Sequence, residues 1–145
     1  MPKLTRIYVK VTADEALGIH TDNSGTPFSF GVVMAQVFEV EIGETPFLLA
    51  VHLATNGHKY VVTDVRSGCQ WPDHIQQAHF HDEQGRKLGL VAAAKQYVDD
   101  YLTRAARNQA GPMKVAARIV SWPAIRDALV EAEVIEPDEV YPVIE

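Results

Sequence analysis

Cys69, His74, His79 and His81 have the most evident capacity for chemistry in this chain. They follow the spacing Cys-x4-His-x4-His-x-His and run directly into Asp82 and Glu83. Thiolate and imidazole are the ligands zinc prefers, and His79 and His81 would share one face of an extended segment, as a chelating pair requires. In that arrangement Glu83 would serve as general base of a zinc-dependent hydrolytic enzyme. Thiolate activation by a neighbouring histidine would alternatively make Cys69 a nucleophile.

The spacing departs from established zinc patterns. No second close cysteine pair exists for a structural site, and Glu83 and Gln84 stand where a His-x-His-x-Asp-His string needs Asp and His. The Pro-Cys-x-x-Cys that must follow the His-x-Glu of zinc deaminases is missing as well. The same residues suit an irregular loop carrying surface or partly buried histidines, with no cofactor.

Other groups offer binding rather than catalysis. Gly85-Arg86-Lys87-Leu88-Gly89 enters the main helix, where free N–H groups and the dipole attract anions, so Arg86 and Lys87 form a candidate anion site. It lacks the Gly-x-x-x-x-Gly-Lys-Ser/Thr of a phosphate loop. Trp71 and Tyr141 are candidate protein-contact anchors, because exposed aromatics dominate interfaces. His52 and His58 flank a turn and are expected as a cross-strand pair. Asp99 and Asp100 point about 100° apart on a helix, which makes them solvated charges rather than a two-carboxylate site.

The elements that must position these groups follow from periodicity. Asn56-Gly57, between two apolar runs, predicts a hairpin with arms over 47–54 and 58–65, since a type I′ turn needs positive φ at both central residues. The first arm is apolar on both faces apart from His52, as a strand covered on both sides should be. Alternation predicts further strands over 4–12 and 32–42, with Gly43-Glu44-Thr45-Pro46 as turn. On the strand 32–42, Val32, Met34, Phe38, Val40 and Ile42 share one face with Gln36. Residues 88–107 predict one long amphipathic helix, with Leu90, Val91, Ala94, Val98, Tyr101 and Leu102 on its apolar stripe and Asp100 four residues before Arg104. Met113, Val115, Ala117 and Ile119 alternate as a fifth strand would. Ser121 and Pro123 open a second, shorter helix reaching about residue 134.

The expected class is therefore α+β: an antiparallel meander of four to five strands packed against the long helix, with a shorter C-terminal helix. A single domain over 1–136 and an acidic tail over 137–145 are expected. With 145 residues the chain can bury a core without staples. Its lone cysteine excludes an internal disulfide framework, and the N-terminal alternation lacks a signal peptide's apolar core, so a cytoplasmic setting is expected. No stretch approaches a membrane span. The net charge of −6 leaves no basic field for nucleic acid. The leading functional expectation is a small non-enzymatic module that binds a protein partner or a second copy of itself. The alternatives are the zinc-type enzyme and a small-ligand pocket between sheet and helix.

Overall fold

The computed structural model describes residues 4–12, 20–21, 27–54, 58–107, 111–122 and 124. Five strands make one antiparallel sheet: β1 (Thr5–Thr12), β2 (His20–Thr21), β3 (Pro27–Ile42), β4 (Thr45–Leu53) and β5 (Tyr60–Asp64). Their order is β1-β3-β4-β5, with β2 beside the start of β3. A 3₁₀ turn, Gln77–Phe80, precedes α1 (Leu90–Arg107) and α2 (Gly111–Val120). The expected α+β class holds.

Strand β3 is longer than its sequence pattern suggested, and its two halves serve different neighbours. Its first half pairs with β1, from Thr12↔Phe28 to Thr5↔Ala35, and its second half with β4, from Gln36↔Val51 to Ile42↔Thr45. The β3–β4 turn has two central residues, Gly43 (φ 55°) and Glu44 (φ 73°), the positive pair that a tight hairpin demands. Gly43 suits this position, and a Cβ there would lie 2.5 Å from the Sδ of exposed Met113, whose side chain would have to move. Between β4 and β5 the register runs His52↔Val61 and Leu53↔Tyr60, and Ala54 N–H donates to the Lys59 carbonyl at 2.9 Å. These arms are those expected around Asn56-Gly57; residues 55–57 lie outside the described residues.

The sheet buries apolar side chains on both faces. On one face Phe38, Ile42, Phe47, Leu49, Val51 and Val62 meet Ala93, Ala94, Tyr97 and Val98 of α1 and Val115, Ala116 and Ile119 of α2. At about 1.5–3 kcal/mol per large side chain buried, this face holds the helices far more firmly than the Asp100–Arg104 ion pair at 3.4 Å. On the other face Ile7, Val9, Ala35, Ala50 and Val65 form a second cluster.

One expectation fails here. The segment expected as a fifth strand is α2, whose buried residues Val115, Ala116 and Ile119 are spaced as one face of a helix while Met113 and Ala117 are exposed. Gly111 turns the chain at φ 67°, and Pro112, with no N–H to satisfy, enters the first helical turn without cost. The Ser121 hydroxyl donates to the Arg118 carbonyl at 2.6 Å and closes α2. The helix expected over 121–134 otherwise falls outside the described residues, as does the tail over 137–145. Among the described residues no helix is long and apolar enough to cross a membrane.

Candidate functional site

The helices cover less of the sheet than the sheet's own apolar face provides. Successive β3 side chains alternate between faces, so Val32, Met34 and Gln36 share the helix side with buried Phe38 and Ile42. Beyond Gln36 the helical cover ends, and Val32 and Met34 are 51% and 52% exposed. Leu4, before β1, and Leu53, at the end of β4, are 57% and 48% exposed beside them. Such grouping of large apolar side chains is what distinguishes a working surface from scattered exposure.

These residues border an open cavity of about 540 Å³. Val32, Val33 and Met34 of β3 line it, and so do Val51, His52 and Leu53 of β4. Leu4 before β1 and Tyr60 of β5 line it as well, so the cavity spans several strands on the helix side of the sheet, near where the β3–β4 register ends at Gln36↔Val51. Among the described residues its lining contains no Asp, Glu, Lys or Arg; Gln36, His52 and Tyr60 are its polar members, and Leu90 of α1 closes one end.

His52 anchors β4 beside this cleft. Its Nδ1 lies 2.8 Å from the Leu53 carbonyl and so carries the hydrogen, leaving Nε2 to accept from the Thr63 hydroxyl at 2.7 Å. Burial holds its pKa below the usual histidine value, partly offset by the Leu53 hydrogen bond. His58 is exposed and has no part in this pair, so the expected His52–His58 partnership does not form.

The Cys69, His74, His79 and His81 group does not converge: among the described residues no three His, Cys, Asp or Glu side chains are placed to hold a metal ion. His79 Nδ1 instead accepts the Gln76 N–H at 2.9 Å, and Nε2 faces Asp100 of α1 at 3.4 Å. Its ring also meets Tyr97 edge-on at 5.7 Å, so the residue fastens the 3₁₀ turn to α1. His81 Nδ1 lies 3.4 Å from the Gln77 carbonyl, and Cys69 Sγ 3.9 Å from the Ser67 carbonyl. Glu83 is exposed in the following turn, and His74 is partly buried.

Arg86 is already committed. Its Nε donates to Asp82 Oδ2 at 2.9 Å, while Asp82 Oδ1 accepts the Gln84 and Arg86 N–H groups at 2.9 Å each. These contacts, the Arg86 N–H first among them, hold the Asp82 carboxyl below its usual range. Lys87 is exposed and pairs through its backbone with His81. The two basic residues thus close a small hairpin, with Arg86 neutralised by Asp82.

Trp71, expected at the surface, is 2% exposed. Its ring meets Tyr97 at 6.3 Å and Tyr101 at 5.4 Å, both edge-on, and Ile75 follows it into the core. Tyr97 donates its hydroxyl to the Pro72 carbonyl, which pins the connector that carries Trp71, and burial pushes its pKa well up. Tyr141 lies outside the described residues. The irregular connector therefore contributes two core residues.

Two further arrangements carry structural weight. Arg66 Nη2 donates to the carbonyls of Ile119, Val120 and Trp122 at 3.0, 3.2 and 2.6 Å, satisfying the unpaired C-terminal end of α2. Buried Asp64 accepts from the Ser67 hydroxyl at 2.6 Å and the Ser67 N–H at 3.2 Å. Burial raises its pKa, and those two hydrogen bonds work against the rise.

Leu4, Met34, Leu53 and Tyr60 were not apparent as site residues, since their apolar alternation carries the signature of ordinary core. No protein-family model matches the chain, and neither a curated protein nor a solved structure shows significant similarity to it.

Proposed function

We propose that this chain is a non-enzymatic binding module whose working surface is this cleft on the helix side of the sheet. One observation carries the reading: an uncharged cavity lined by consecutive residues of β3 and β4, with Leu4, Val32, Met34 and Leu53 about half exposed around it. The occupant is a neutral, largely apolar group of a protein partner, with Gln36 and Tyr60 available for hydrogen bonds. Nucleic acid is a poor fit, because no Lys or Arg is among the described residues that line the cleft and acidic residues outnumber basic ones 19 to 13. A reducing, cytoplasmic setting suits the single cysteine, Cys69.

Completing the burial of four half-exposed apolar side chains is worth on the order of 4 kcal/mol before the cost of association. Side-chain contact alone thus supports weak binding, in a range a dye can report. Nile red, a neutral solvatochromic dye, should give a saturable one-site fluorescence gain with the native protein. Met34→Asp and Leu53→Asp should each raise its dissociation constant at least tenfold while leaving the far-ultraviolet circular dichroism unchanged. Dye binding indifferent to both substitutions would remove the cleft from consideration.

A further inference from the structure

The cleft floor runs across the strands rather than along one of them. Continued by one residue, the Thr5↔Ala35 register sets Leu4 opposite Gln36; Gln36 pairs with Val51 of β4, and Leu53 pairs with Tyr60 of β5. With neighbouring strands about 4.8 Å apart and a rise of about 3.4 Å per residue, the floor measures roughly 14 Å from the line of β1 to β5 and roughly 14 Å along β3 from Val32 to Gln36. On this same face α1 and α2 cover the sheet beyond Gln36, and Leu90, the first residue of α1, reaches the cleft. The helical layer stops at the rim of a floor that is as apolar as the part it covers.

We infer that the cleft takes an amphipathic helix of a protein partner, laid on the sheet beside α1. This rests on the binding-module reading and names the form of its partner. Backbone chemistry decides the form. An extended segment lying on a sheet face brings its own N–H and C=O groups against the floor, and each one left unpaired there costs free energy. Among the described polar side chains of the lining, His52 is already bonded to the Leu53 carbonyl and the Thr63 hydroxyl, which leaves Gln36 and Tyr60, too few for a run of backbone groups. A helix pairs its backbone internally and offers only side chains. Its dimensions match as well, since a helix is about 10–12 Å in diameter and roughly ten residues at about 1.5 Å each span the floor. Leu4, Val32, Met34 and Leu53 are spread over the lines of β1, β3 and β4, so the guest meets them with apolar side chains at i, i+3, i+4 and i+7. That stripe is uncharged, because an ionised side chain would be desolvated here with no opposite charge among the described lining residues.

The probe is a labelled, acetylated and amidated peptide of about 16 residues, long enough to hold a helix, with Leu at i, i+3, i+4 and i+7 spacing among Ala, Glu and Lys. Its control has the same composition with Leu at every second position. On the intact protein, fluorescence anisotropy should show the striped peptide binding at least tenfold tighter than the alternating one and displacing Nile red. Met34→Asp and Leu53→Asp should each weaken it at least tenfold, and far-ultraviolet circular dichroism of the mixture should show more helix than its two components apart. An alternating peptide that binds as tightly, or striped-peptide binding without displacement of Nile red or without a gain in helix, overturns the helical guest and leaves the binding module standing. So does a protein that binds Nile red and neither peptide. A native dimer that Met34→Asp dissolves in sedimentation gives the cleft to a second copy and overturns the inference too. A native protein that binds neither peptide nor dye overturns both readings.

Discussion

Replacing Trp71 separates a core residue from a surface anchor by magnitude alone. The ring is 2% exposed and packs edge-on against Tyr97 and Tyr101. Truncation to Ala removes its transfer energy and leaves a void among well-packed neighbours, a loss of about 3–5 kcal/mol. For a chain of this length each kcal/mol moves the melting temperature by roughly 2–4 °C, so Trp71→Ala should lower it by about 6–20 °C. Trp71→Phe is the informative companion. Trp71 Nε1 is buried with no hydrogen-bond partner, and an unmet buried donor costs about 1–3 kcal/mol. Phe keeps an aromatic ring against Tyr101 and deletes that donor, so it should lose less than half of what Ala loses. Urea titration with linear extrapolation measures both. A loss below about 1 kcal/mol for Trp71→Ala would refute the assignment of this residue to the core.

Arg66→Ala should cost about 2 kcal/mol, because a charge-assisted donor is removed from three carbonyls at the negative end of α2. Hydrogen exchange should locate the loss in residues 111–120, and unchanged exchange there would contradict the capping role. Buried His52 has a pKa below its unfolded value, so the unfolded chain binds more protons in acid. Its contribution is fully present above about pH 6.5 and is lost as pH falls towards the folded-state pKa. Denaturation midpoints between pH 7.5 and 5 should therefore decline in the native protein and decline less in His52→Gln, and parallel curves would exclude His52 as the cause.

The hairpin arms and α1 were legible because each satisfies one strong local rule: β-branched runs around Asn56-Gly57, and an apolar stripe in helical register from Leu90. The error at α2 came from letting alternation outrank spacing. Met113, Val115, Ala117 and Ile119 fit a two-residue period, but Val115, Ala116 and Ile119 fit a helical face equally well, and Pro112 is as good a first-turn residue as it is a stop. Trp71 was misplaced because an aperiodic connector gives no sign of which side chains turn inward. The cleft was invisible for a different reason. Val32 and Met34 have the same pattern as Phe38 and Ile42, and only the reach of the helices decides which pair is covered.

Sharing one continuous β3 between two half-sheets has a bearing on how this chain can change. Residues before Ala35 are locked to β1, and residues after Gln36 to β4, by ladders that each fix which side chains face inward. One residue inserted or deleted at the Ala35–Gln36 junction would invert one half relative to the other, turning Phe38 and Ile42 away from the helices or Val33 and Ala35 towards them. Length variation should thus be tolerated in the turns and rejected at this junction, where the chain keeps a single reading frame for both halves of the sheet.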